Sequence, residues 1–200
     1  MLGQTAALDS LRLLALYCVQ HPERFDLYAA QKKAFVRRLG DQANERWLWH
    51  GTEKAKVAPP PAPPPPSAPP PSPPSPPPSP TTLITAPRKV PPILSNGFLR
   101  DFNSRGAYGR GVYFATHASY SLNPMYAKPD SAGERYLLLV RVLVGEACVG
   151  SAGLESPKPK PGSDELYESM VDREGQPRVV VLSAGSDNRA YPEFVLRFAA

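Results

Sequence analysis

Cysteine and histidine are scarce in this chain: two cysteines and three histidines among 200 residues. Cys18 and Cys148 stand far apart, without the paired spacings of a metal site, so a disulfide framework and a metal-ligand cluster are both disfavoured. A reducing compartment, the cytoplasm or the nucleus, is the expected setting. Long apolar runs are also missing. Asp9 and Arg12 interrupt the stretch Leu8–Val19, which is too short to span a bilayer and has no basic segment before it. The reading is a soluble chain without membrane partners. The formal charge of +5 is mild, and its cations (Lys32, Lys33, Arg37, Arg38, Lys54, Arg88, Lys158) are scattered. No basic stripe is interleaved with stacking aromatics, which disfavours a nucleic-acid surface.

Proline is the one residue in excess. Sixteen of the 27 prolines fall within Pro59–Pro80, where only Ser and Ala accompany them. Such a tract is an exposed polyproline II segment that cannot join a sheet. The rest suffices for one domain.

A helix is expected from Pro22 to Leu39. Pro22 suits the first helical position, Glu23 the first turn, Arg37 and Arg38 the last, and Gly40 the stop. Residues 1–20 are expected to be helical too. Trp47, Leu48 and Trp49 mark a strand over 46–50. A short helix over 91–96 stops at Asn96-Gly97, and a loop runs from Phe98 to Arg110. Strands follow at 111–115, 136–144, 179–182 and 193–198, with a helix carrying Ser119 to Tyr126. The sum is an α+β domain: a mixed, mostly antiparallel split sheet with few helices.

Two strings carry the chemistry, Leu48-Trp49-His50-Gly51-Thr52 and Gly111-Val112-Tyr113-Phe114-Ala115. Gly51 offers one backbone N–H and one C=O with no side chain to block approach, which is what a primary carboxamide requires. His50 beside it suits a vicinal diol. Ser121 adds a hydroxyl, and the Tyr126 ring is a stacking face. Amide, aromatic ring and ribose diol together describe a nicotinamide riboside.

Six ordered blocks then resemble the catalytic domain of the poly(ADP-ribose) polymerase family, within its mono-ADP-ribosylating branch. They are Asn44–Thr52, Ile93–Phe98, Tyr108–Ala115, the strand around Leu138–Leu143, Tyr167–Asp172 and Tyr191–Phe194. The resemblance implies the ADP-ribosyltransferase fold over residues 21–200, with residues 1–20 as an N-terminal helical extension. It implies NAD⁺ as substrate and no metal. His50, Tyr113 and Val179 would be the three signature positions. His50, Gly51, Thr52, Tyr108, Tyr113, Ser121 and Tyr126 would line the NAD⁺ site, with Arg100 or Arg105 as charge partners of the diphosphate. Chain-extending members carry glutamate where this chain has Val179, and lysine where it has Tyr120. The product implied is a single ADP-ribose unit on a protein acceptor, the enzyme itself included, with nicotinamide released.

Residues 57–89 interrupt the resemblance in frame, either as a genuine loop or as a retained intron. A genuine loop would offer residues 59–80 to SH3 or WW domains. Two other readings stand beside the enzyme: a catalytically inactive binding module of the same fold, and a proline-rich scaffold. Glu193 is the one tempting alternative carboxylate; His21 and His117 read as a helix-start and a surface residue.

Overall fold

The computed structural model describes residues 11–52, 92–98, 106–183 and 185–199. The expected insert at 57–89, Arg100 and Arg105 lie outside the described residues. In chain order the elements are β1 (Arg12–Cys18), α1 (Pro22–Leu39), a 3-10 turn (Gly40–Ala43), β2 (Glu45–Thr52), α2 (Pro92–Asn96), β3 (Val112–Ala115) and α3 (Ala118–Ser121). Then come β4 (Arg135–Leu143), β5 (Ala147–Val149), β6 (Ser169–Val171), β7 (Val179–Leu182) and β8 (Ala190–Ala199).

Local chemistry accounts for α1. Its cap is His21, whose Nδ1 accepts the Arg24 N–H at 3.4 Å; Pro22 follows, and Gly40 ends the helix at φ 55°. Tyr28 and Phe35 point inward and pack with Leu143 and Tyr191. The short α2 stops at Gly97, whose φ of 76° is the left-handed conformation that glycine adopts freely.

The strands form one sheet ordered β1-β8-β4-β2-β3-β7-β6-β5, antiparallel except for the parallel pair β5–β6. Alternation divides β4 between two cores. Tyr136, Leu138, Val140 and Val142 join Leu48, Phe114, Val180 and Leu94 on one face. Leu137 and Leu143 face the other way, toward Leu122 and Ala127 and toward α1. Burial on both faces explains why this strand reads as almost unbroken apolar sequence. The sheet is nonetheless split. β2 pairs with β4 along its whole length but meets β3 only at Trp49↔Ala115.

Three expectations need correction. Residues 12–18 are not helical: they form β1, the edge strand paired with the last strand from Arg12↔Ala199 to Cys18↔Phe194. A six-residue apolar run, Leu13–Cys18, fits a strand or a helix equally well by pattern, and the open edge of β8 decided it. The helix expected over Ser119–Tyr126 stops at Ser121. Pro124 has no N–H to continue it, and the chain turns instead with Tyr126 N–H and Ala127 N–H donating to the Asn123 carbonyl at 2.8 and 2.9 Å. The three-residue strands β5 and β6 were not expected at all.

One residue ties this end of the sheet together. Arg189, 6% exposed, donates to the carbonyls of Leu143 (2.7 Å), Val144 (3.2 Å) and Glu168 (2.6 Å) and lies 4.6 Å from the Phe35 ring centroid. Burial draws the guanidinium down to about 10, so it stays charged at neutral pH. Arg189→Met leaves three buried carbonyls without this donor, and should lower unfolding free energy by roughly 3–5 kcal/mol, read as a fall in the urea midpoint.

Candidate functional site

The split between β2 and β3 is where the expected residues gather. Were the ladder unbroken, antiparallel register from Trp49↔Ala115 would set Gly51 opposite Tyr113. That pair is not made. The His50 ring bridges the gap instead, its Nδ1 2.8 Å from the Tyr113 carbonyl. A carbonyl only accepts, so Nδ1 carries the proton and Nε2 of the neutral ring is an acceptor. Phe98 and Phe114 hold the ring edge-on and tilted, at centroid distances of 5.2 and 5.6 Å.

Gly51 is glycine for a steric reason. A Cβ there would stand 2.3 Å from the Ser121 carbonyl and 3.0 Å from the Tyr126 Cβ. Its backbone orientation follows from its neighbour. Trp49 turns its carbonyl away from β4 to accept the buried Ser121 hydroxyl at 3.2 Å. A strand repeats every two residues, so Gly51 turns its N–H and C=O toward the same edge, into the split. Thr52, 3% exposed, ends the strand with a buried hydroxyl that has no hydrogen-bond partner among the described residues.

Tyr113 lies across the gap and faces the other side of the sheet from Phe114. Its hydroxyl donates to the Gly109 carbonyl at 2.6 Å and accepts from the Tyr108 N–H at 3.1 Å, which fixes the loop before β3. Burial pushes its pKa up, keeping the phenol neutral. Gly109, at φ 111°, has the Met170 side chain 2.6 Å from where its Cβ would be. Tyr108, Tyr113 and Tyr120 all pack on the buried group Val179, Val181, Met170 and Cys148. Val179 is 2% exposed and sits opposite Ala115 in the β3–β7 ladder. Tyr126 is 42% exposed and stacks on Tyr120.

Thus His50, Gly51, Ser121 and Tyr126 lie at the split, while Tyr113 and Val179 form its wall through the tyrosine cluster. Glu193 belongs elsewhere: it pairs with Arg141 at 2.7 Å on the outer part of β8. His21 caps α1 and His117 is exposed. Among the described residues no group of three His, Cys, Asp or Glu side chains could hold a metal, and both cysteines are free. A cavity of about 230 Å³ lies between α2, the start of α1 and the loop after β7. It borders the His50 side only through Phe98, and none of the expected site residues lines it.

Sequence reasoning missed Asp172. Its side chain is 2% exposed, and Oδ1 accepts the N–H groups of Arg178 (2.8 Å) and Val179 (3.0 Å) while Oδ2 pairs with Arg173 at 3.0 Å. It thereby sets where β7, and so Val179, begins. The available signal was an acidic residue ahead of a polar Gly- and Pro-containing turn, Arg173–Pro177.

Comparison with known proteins identifies the family. The model of the poly(ADP-ribose) polymerase catalytic domain matches residues 85–169. Protein mono-ADP-ribosyltransferase PARP14 of Homo sapiens is 30% identical over 184 residues, covering 90% of this chain. PARP10 of Mus musculus, with the same designation, is 26% identical over 189 residues, covering 93%. The chain belongs to the poly(ADP-ribose) polymerase catalytic-domain family. It spans only 8% and 16% of the lengths of these two relatives. The family fold is shared with the PARP domain of Arabidopsis RADICAL-INDUCED CELL DEATH1, at TM-score 0.64 and 21% identity, covering 98% of this chain and 92% of that one.

Two outcomes test the site's construction. Gly51→Ala drives a methyl into the Ser121 carbonyl, so stability should fall by about 1–3 kcal/mol in urea denaturation. The Asp172 carboxyl is raised by burial, but the N–H groups of Val179 and Arg178 and the Arg173 guanidinium outweigh this and hold it below the usual carboxylate range. Its stabilisation is therefore complete above the unfolded carboxyl value of about 3.9 and is lost as pH falls through the folded one. Asp172→Asn should cost about 1–3 kcal/mol at pH 7, a difference that shrinks when the two denaturation curves are compared in acid below about pH 4.

Proposed function

We propose that this domain cleaves NAD⁺ and transfers one ADP-ribose unit to a protein side chain, releasing nicotinamide. The observation that carries the reading is the backbone of Gly51, aimed into the split beside the clipped imidazole of His50. One donor and one acceptor on a single residue match the two ends of a carboxamide. Ser121 adds a hydroxyl that rotates from the Trp49 carbonyl to the amide oxygen. Tyr126 supplies a face for the pyridinium ring. The Nε2 of His50 accepts from a ribose hydroxyl, and Thr52 adds a hydroxyl that has no partner among the described residues.

Holding the leaving group and the ribose in fixed relation favours heterolysis of the bond between the anomeric carbon and the pyridinium nitrogen. The bonding pair goes to nicotinamide, which leaves neutral, and the sugar becomes oxocarbenium-like. A carboxylate at position 179 would stabilise that cation and polarise an acceptor hydroxyl; the buried isopropyl group of Val179 does neither. The acceptor's own Asp or Glu carboxylate supplies the charge and attacks the anomeric carbon, so no proton has to be removed. Without a group to activate a ribose hydroxyl, transfer stops after one unit. The protein's own carboxylates are acceptors by the same chemistry. The two free cysteines support a reducing compartment, the cytoplasm or nucleus, as the setting. The tract at 59–80 is proposed separately as a ligand for SH3 or WW domains, on its proline density alone.

The test is incubation with isotopically labelled NAD⁺, followed by mass spectrometry of the modified protein. Single ADP-ribose additions are expected, with His50→Ala reducing kcat/KM roughly 100-fold. Chains of several units would refute the role given to Val179. Free ADP-ribose without labelled protein would mark a hydrolase, and NAD⁺ binding without turnover an inactive module.

A further inference from the structure

Tyr126 is an exposed ring on a turn, and such a ring is not held by its own backbone. The turn fixes only its main chain, through the Asn123 carbonyl and the Asn123 Oδ1 that accepts Met125 N–H at 2.9 Å. The described ring stacked on it belongs to Tyr120, with centroids 5.3 Å apart, planes 12° from parallel and hydroxyls 3.3 Å apart. Residues six apart are not neighbours on a helix. They meet because α3 ends at Ser121 and the chain folds back over Pro124. Tyr120 in turn packs on the buried group containing Val179 and Val181. Contact therefore runs from the buried group of Cys148, Met170, Val179 and Val181, through Tyr120, to the ring of Tyr126.

We infer that Tyr120 is a positioning residue, holding the Tyr126 ring in the orientation that receives the flat heteroaromatic end of the substrate. This rests on the reading that Tyr126 faces nicotinamide. The physical reason is preorganisation: a rotor already fixed by a stacked neighbour loses little freedom when the ligand arrives. The hydrogen bond to Tyr126, then burial, push the Tyr120 phenol up to about 12. The phenol of Tyr120 accordingly keeps its proton across the physiological range. The sequence difference also acquires a cause. A lysine at 120 would place a hydrated ammonium beside Val179 and offer Tyr126 no face. Tyrosine couples the ring to the apolar wall that valine provides.

The experiment measures nicotinamide affinity by calorimetry and KM and kcat for NAD⁺, with melting temperatures confirming that each variant is folded. Tyr120→Leu keeps apolar packing on Val179 and removes the ring. It should weaken nicotinamide binding about three- to tenfold and raise KM in step, with kcat within about twofold. Tyr120→Phe should stay within about twofold of the parent, since the stack survives. In a Tyr126→Ala background, Tyr120→Leu should have almost no further effect, because the ring it positions is gone. Unchanged binding in Tyr120→Leu, or a loss as large with Tyr126 absent as with it present, would overturn the inference. Should the parent protein itself fail to bind nicotinamide or NAD⁺, the proposed function falls first, and the inference with it.

Discussion

A sheet that stops pairing partway along two adjacent strands must satisfy the freed backbone groups some other way. Here β2 and β3 touch at Trp49↔Ala115 and no further. Buried carbonyls and N–H groups left over at such a break cost free energy unless something meets them. His50 does so on the Tyr113 carbonyl just beyond the break, and Ser121 braces the Trp49 carbonyl at the last pair made. The same two residues are the ones a nicotinamide riboside would engage. Structural repair of the break and construction of the proposed binding site are one arrangement.

The rest of the domain keeps the two lips of the split in place. On one side β2 is locked to β4 along its whole length, and β4 is buried on both faces. On the other, β3 is held by β7, whose start is set by the Asp172 carboxylate. Arg189 joins the far ends of both halves by collecting carbonyls from β4 and from the segment entering β6. Both ionised groups are buried and satisfied chiefly by backbone, so their worth lies in fixing geometry more than in charge pairing. Val179 fits this scheme as part of an apolar group against which four tyrosines pack.

Legibility differed sharply between elements. The helix α1 announced itself because cap, first-turn acid, last-turn base and terminal glycine all agreed, and each acts within a few residues. β4 was readable because burial on both faces leaves an apolar run. Arg12–Cys18 was misread because its six apolar residues satisfy either period, and only the free edge of β8 chose between them. The strands β5 and β6 are too short to carry a period. Asp172 and Arg189 were invisible for a related reason: each binds backbone atoms contributed by distant segments.

Sequence alone determined the inventory: a glycine flanked by histidine and threonine, a tyrosine on a glycine-led strand, a valine at the head of an apolar strand, and a proline tract set apart by composition. These follow from residue chemistry and local order, which need no partner. Tertiary structure decided the relations. It broke the ladder after Trp49, turned Gly51 toward the gap, and laid Tyr120 on Tyr126 across a proline turn. Each of these depends on where another part of the chain comes to rest, and a pairing between distant segments leaves no period in the sequence that makes it.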